Sequence, residues 1–70
     1  MWFKKGVANG LLRENEITRE ELAEAFECDL VEMNRILDGE MEAGEELTLM
    51  FLSAFGSEVM DDAIDWLRTE

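Results

Sequence analysis

Leu22-Ala23-Glu24-Ala25-Phe26-Glu27-Cys28-Asp29-Leu30-Val31-Glu32-Met33-Asn34-Arg35-Ile36-Leu37-Asp38-Gly39 is the stretch on which the fold turns. Its apolar residues keep helical spacing but change register halfway. Leu22, Ala23 and Phe26 make one stripe; Met33, Ile36 and Leu37 make another. Between them stands Asp29, a residue type that favours helix N-caps, and Glu32 three positions on gives the pair the spacing of a capping box. Just upstream, Thr18-Arg19-Glu20-Glu21 reads as a capping box, in which the Thr18 hydroxyl accepts from the Glu21 amide and the Glu21 carboxylate reaches back. Gly39 sits where a left-handed residue would end the second helix. The pattern predicts two short helices joined by a very short connection.

The flanks extend this into an all-α chain. Residues 2–14 read as a first helix, with Val7 and Leu11 on one face at a four-residue step that Phe3 extends. Gly44-Glu45-Glu46 opens a fourth helix, in which Leu47, Met50, Phe51, Ala54 and Phe55 fall at i, i+3, i+4, i+7 and i+8. Gly56 stops it, and Ser57 is placed to cap a fifth with Met60, Ala63, Ile64 and Leu67 inward. Acids at the helix starts favour the positive dipole ends. The expected architecture is a compact five-helix bundle in a single domain spanning 1–70. Phe26, Met33, Ile36, Phe51, Phe55 and Ile64 are its expected central core.

Composition limits the chemistry. The 70 residues include no His, no Pro, no Tyr and one Cys. The commonest general base and metal ligand are therefore missing, an internal disulfide is ruled out, and the single thiol suits a reducing, cytoplasmic setting. Ser53 and Ser57 have no histidine to activate them. Asp61, Asp62 and Asp65 are expected on an exposed helix face, where nothing would tune their acidity. The run Asp38-Gly39-Glu40-Met41-Glu42-Ala43 lacks the sixth-position glycine of a calcium loop and would place Leu49 at its twelfth. Neither an enzyme nor a metal or cofactor site is expected. No apolar run approaches the roughly 18 residues of a membrane span, and the start Met1-Trp2-Phe3-Lys4-Lys5 does not read as a signal peptide.

Charge is the most unusual property. Six basic residues stand against 18 acids, a formal net charge of −12. Lys4, Lys5 and Arg13 occupy an acid-free segment over 1–13, so residues 14–70 carry three basic residues and every acid, a net of −15. A net magnitude of roughly 2–8 suffices to keep a small domain soluble. The excess points to a surface that imitates a phosphate array or meets a basic partner, with a merely solubilising face as the alternative.

The stretch 22–39 resembles the helix-turn-helix of the lambda-repressor-like, Xre-type family, including its antitoxin-like members. The resemblance implies that Ala23 lets the two helices cross closely and that Met33 and Ile36 lock the second helix down. Gly6 to Glu14 is similar to the family's first helix, and Leu47 to Gly56 to its fourth. The chain departs from the family where that family reads DNA. Its turn usually holds Gly; here it holds Glu27. The recognition helix opens with Asp29, Leu30, Val31 and Glu32, and Glu40 and Glu42 follow it. Carboxylates repel phosphates, and Leu and Val cannot hydrogen-bond a base edge. Only Asn34, Arg35 and Arg19 keep suitable chemistry.

The expected partner-binding face is therefore Asp29, Leu30, Val31, Glu32, Asn34, Arg35, Glu40 and Glu42. The first reading is a protein-binding module, such as a phage-type inhibitor of a nucleic-acid-handling machine, that engages a partner with a basic surface. No direct DNA contact and no membrane contact are expected of it. The alternative is a DNA-binding regulator or antitoxin that offsets its charge through homodimerisation and its basic N-terminal segment. Leu49 and Leu52 fit either self-association or burial under the first helix. Trp2 and Trp66 fit core or terminus packing, or an interface anchor. Cys28 is expected to be a small core hydrophobe.

Overall fold

Gly6 decides where the first helix begins. Its φ of 79° is left-handed, and in the computed structural model, which describes residues 1–68, α1 starts only at the next residue. The helices are α1 (Val7–Glu14), α2 (Arg19–Ala25), α3 (Leu30–Leu37), α4 (Glu45–Phe55) and α5 (Ser57–Ala63). No strand is present among the described residues beyond one antiparallel bridge between Phe3 and Ile64. The fold is all-α, with α2 packed on α3 and α4 on α5.

The N-terminal residues correct the expected helix from residue 2. They run extended instead and stitch two distant segments together. The Lys4 amide donates to the Ala63 carbonyl (2.9 Å), the Asp65 amide to the Trp2 carbonyl (2.7 Å), and the Ala43 amide to the Met1 carbonyl (2.8 Å). Phe3 is 1% exposed and Ile64 3%, whereas Lys4 and Lys5 face solvent. Burying Phe3 between distant elements outweighs the helical step that links it to Val7 and Leu11. The same pairing ends α5 early. Ile64 takes ψ 135°, so the helical register that would carry Leu67 inward is lost, and Leu67 is 94% exposed.

Three helices end in the same way. After α1, α2 and α3 the chain turns left-handed at Glu16 (φ 53°), Glu27 (φ 53°) and Gly39 (φ 76°). In each case the left-handed residue's amide returns to the helix together with that of its successor. For α2 the bonds are Glu27 to Glu24 (3.1 Å) and Cys28 to Ala23 (2.8 Å); for α3 they are Gly39 to Ile36 (3.1 Å) and Glu40 to Arg35 (2.8 Å). These pairs are Schellman closures, which satisfy carbonyls the helix leaves over. Gly39 has a second reason to be glycine: a Cβ there would lie 2.8 Å from the Phe3 carbonyl oxygen.

The starts are local as well. The Thr18–Glu21 box is formed in both directions, at 3.1 and 2.9 Å. Asp29 caps α3 by accepting from the Val31 amide (2.8 Å) rather than through the box expected with Glu32. Ser57 does not cap α5; Gly56, with φ 91° and ψ 149°, is the corner between α4 and α5, and Ser57 is the first helical residue.

Phe51 is the centre of the core and fully buried. Phe3 (5.0 Å between centroids) and Phe26 (4.8 Å) meet its ring edge to face, and Phe55 stacks on it at 6.2 Å. Met33, Ile36 and Met60 surround this group with no exposure. Phe55, expected at the centre, is half-buried at its margin, as are Leu47 and Met50, and Ala54 faces solvent. Helix α4 thus buries one residue completely and leaves a partly covered apolar shoulder.

Candidate functional site

The eight residues singled out from the sequence lie at the N-cap of α3, on α3 and in the loop after it, but they divide into groups with different surroundings. Leu30 (39% exposed) and Val31 (69%) are outward apolar side chains at the start of α3. Arg35 and Glu40 are exposed, and Glu42 is exposed within 3.8 Å of the Met1 amino nitrogen. Asn34 is half-buried and already engaged.

Its partner is Arg19, at the start of α2. One guanidinium nitrogen donates to the Asn34 side-chain oxygen (3.0 Å) and more weakly to the Asn34 carbonyl (3.4 Å). The other donates to the Asn9 side-chain oxygen (2.9 Å) and to Asp38 (2.7 Å). One arginine thereby ties α1, α2 and the end of α3 together. Of the three side chains with chemistry suited to DNA, two are spent on each other. Arg35 alone has no side-chain hydrogen bond or ion pair among the described residues.

The acids converge elsewhere. A groove of about 420 Å³ opens between the α2–α3 turn and the first turn of α4. Glu27, Asp29 and Glu32 rim one side, and Glu45 and Glu46 the other. Its apolar lining residues lie deeper than these mostly exposed acids: Phe26 is buried, and Cys28, Leu47 and Met50 are half-buried. None of its lining residues is basic. Beyond it, Glu45 also lines a second depression of about 350 Å³ together with Glu42 and Met1, so this band of carboxylates ends against the Met1 amino group, 3.8 Å from Glu42.

Sequence reasoning reached Asp29, Glu32 and Glu42 of this band. It missed Glu27, Glu45 and Glu46. The last two read as ordinary dipole-favouring acids at a helix start, and nothing in the local pattern says that α4 begins opposite the α2–α3 turn. Glu40 lines neither depression.

Cys28 lies among these acids. It is half-exposed rather than a core residue, and burial, then the negative charges of Glu32 and Asp29, push its thiol above the ordinary thiol range. No group of three or more carboxylate or thiol side chains among the described residues is arranged to hold a metal ion.

Trp2 is half-buried under the Arg68 guanidinium, which lies 3.6 Å above its ring and also donates to the Gly39 carbonyl (2.9 Å). Trp66 is 64% exposed, with its indole nitrogen donating to the Asp61 carbonyl (3.0 Å). Leu52 packs against the core, whereas Leu49 is 61% exposed. No helix of the described residues is long and apolar enough to cross a membrane. Compared with known proteins, the chain matches no family model, no curated protein and no solved structure.

Proposed function

We propose that this chain is a cytoplasmic, non-enzymatic binding module of helix-turn-helix type whose acidic face engages a basic surface on another protein. In such a role it occupies the place of a nucleic-acid phosphate array and blocks a nucleic-acid-handling partner, as a phage-type inhibitor would. The observation that carries the reading is the groove: five carboxylates from two separate parts of the chain line one depression with no cation among them. A depression lined by five carboxylates and no basic side chain presents a field that a basic surface complements.

The helix-turn-helix assignment is supported by local packing. Ala23 is buried on α2 opposite α3, Met33 and Ile36 are fully buried, and the turn is left-handed at Glu27. Reading DNA is a poorer fit. The face that would meet phosphates presents Asp29 and Glu32, and Arg19 and Asn34 hold each other.

The test is competition. Proteins captured from a lysate on the immobilised chain at about 0.15 M salt, where screening reaches about 8 Å, are identified and assayed for nucleic-acid binding with and without it. The expected partner is basic, is released by higher salt, and loses nucleic acid competitively as the chain is added. If the chain itself binds a selected duplex at nanomolar affinity, as specific regulators do, the regulator or antitoxin reading replaces this one.

A further inference from the structure

The band of carboxylates accounts for attraction to any basic surface. The groove floor asks for more. We propose that the groove between the α2–α3 turn and α4 receives a cationic polypeptide segment that inserts one large aliphatic side chain between its two acidic rims, an inference that rests on the protein-binding reading above.

Charge and surface together exclude the other occupants. The rims place carboxylates on both sides: Glu27, Asp29 and Glu32 across from Glu45 and Glu46. An anion in this space meets only repulsion. A purely apolar occupant would strip water from five carboxylates without pairing them, at a large desolvation cost. A purely hydrophilic polycation would pair with the rims but leave the half-buried Leu47 and Met50 wet beneath it. Only a segment that is cationic at its flanks and apolar at its centre satisfies both.

The dimensions and side-chain chemistry agree. A depression of about 420 Å³ lies toward the lower end of the range in which ligand sites are usually found, roughly 300–1,000 Å³, and suits one side chain with its flanking backbone. Leu47 and Met50 are half-buried on the α4 shoulder, packed from below and open from above. Met50 is flexible enough to reshape around an entering group. Arginine is the better flanking residue, because its fork pairs with a carboxylate through two parallel hydrogen bonds. A second groove, between α1 and α5, has an apolar lining too, but only Glu14 and Asp62 border it. It supplies the control.

The probe is an acetylated and amidated five-residue peptide with a central leucine between two pairs of arginines. Its counterpart carries serine in place of the leucine. The uniformly 15N-labelled chain is titrated with each while its amide resonances are followed. The leucine peptide should shift the amides of Cys28, Glu46, Leu47 and Met50 and bind at least tenfold more tightly than the serine peptide. Glu27→Gln with Glu46→Gln, both on exposed positions, should weaken the leucine peptide about tenfold. Glu14→Gln with Asp62→Gln should change it less than twofold. Equal affinity for the two peptides, with shifts spread over every acidic helix, overturns the groove while leaving attraction by charge intact. Absence of any binding by the leucine peptide also overturns it, and the partner-competition assay then decides the broader reading independently.

Discussion

Replacing Glu27 by glycine should make this protein more stable while weakening its groove. Glu27 holds φ 53° to close α2, a conformation that costs an L-residue with a Cβ roughly 1–2 kcal/mol. Glycine removes that strain but gives back roughly 0.5–1 kcal/mol through the extra freedom of the unfolded chain. The net gain is about 0.5–1 kcal/mol. For a chain this small, urea unfolding has a slope of about 1 kcal/mol per molar, so the midpoint should rise by about 0.5–1 M. Glu27→Ala is the decisive companion. It removes the same negative charge from the rim but keeps the Cβ, so any relief of repulsion appears in both variants and relief of backbone strain only in the glycine. The reasoning fails if the two variants unfold at the same urea concentration. Both should bind the cationic leucine peptide more weakly than the parent, because each deletes one rim carboxylate.

Phe51→Ala should cost about 3–5 kcal/mol in the same unfolding assay, since the ring is fully buried and three other phenylalanines close on it. A domain of this size holds about 4–10 kcal/mol in total, so a loss near zero would mean that the face of α4 has been wrongly identified. Arg19→Ala should cost about 1–3 kcal/mol by freeing the partly buried Asn34 and unlinking α1 from α3, and a double-mutant cycle with Asp38→Asn should show coupling. Cys28 should react with iodoacetamide at pH 8 more slowly than free cysteine, and Glu32→Gln should speed it up. Because folding raises this thiol, its contribution to stability is full below the ordinary thiol pKa and disappears as pH rises through the raised value.

The legible parts of this fold are those whose causes lie within four or five residues of each other. The Thr18–Glu21 box, the Asp29 cap and the left-handed Gly39 fix α2 and α3 from the sequence alone, and each is present. Phe3 was misread because its spacing to Val7 and Leu11 is helical, while the partners that decide its conformation, Phe51 and Ile64, are far along the chain. Leu67 was misplaced by the same long-range pairing. The site follows this division. Asp29 and Glu32 belong to one helix start and were found together, whereas Glu45 and Glu46 join them only through the packing of α4. The use of Asn34 by Arg19, 15 positions away, is likewise invisible until the helices meet.

The stitch between Phe3 and Ile64 also has a consequence for how the molecule is made. A ribosome adding about 5–20 residues per second delivers Ile64 some 3–12 seconds after Phe3, which lies 61 positions earlier. Throughout that interval one of the largest core side chains has no permanent place, since its bridge partner has not been synthesised. Helical domains usually fold quickly because their contacts are local. Here the bridge between Phe3 and Ile64 is non-local, so it cannot form until nearly the whole of the described chain has been made, and Trp2-Phe3 waits seconds for it. During translation, that segment can reach its native place only once α4 and the end of α5 have been made.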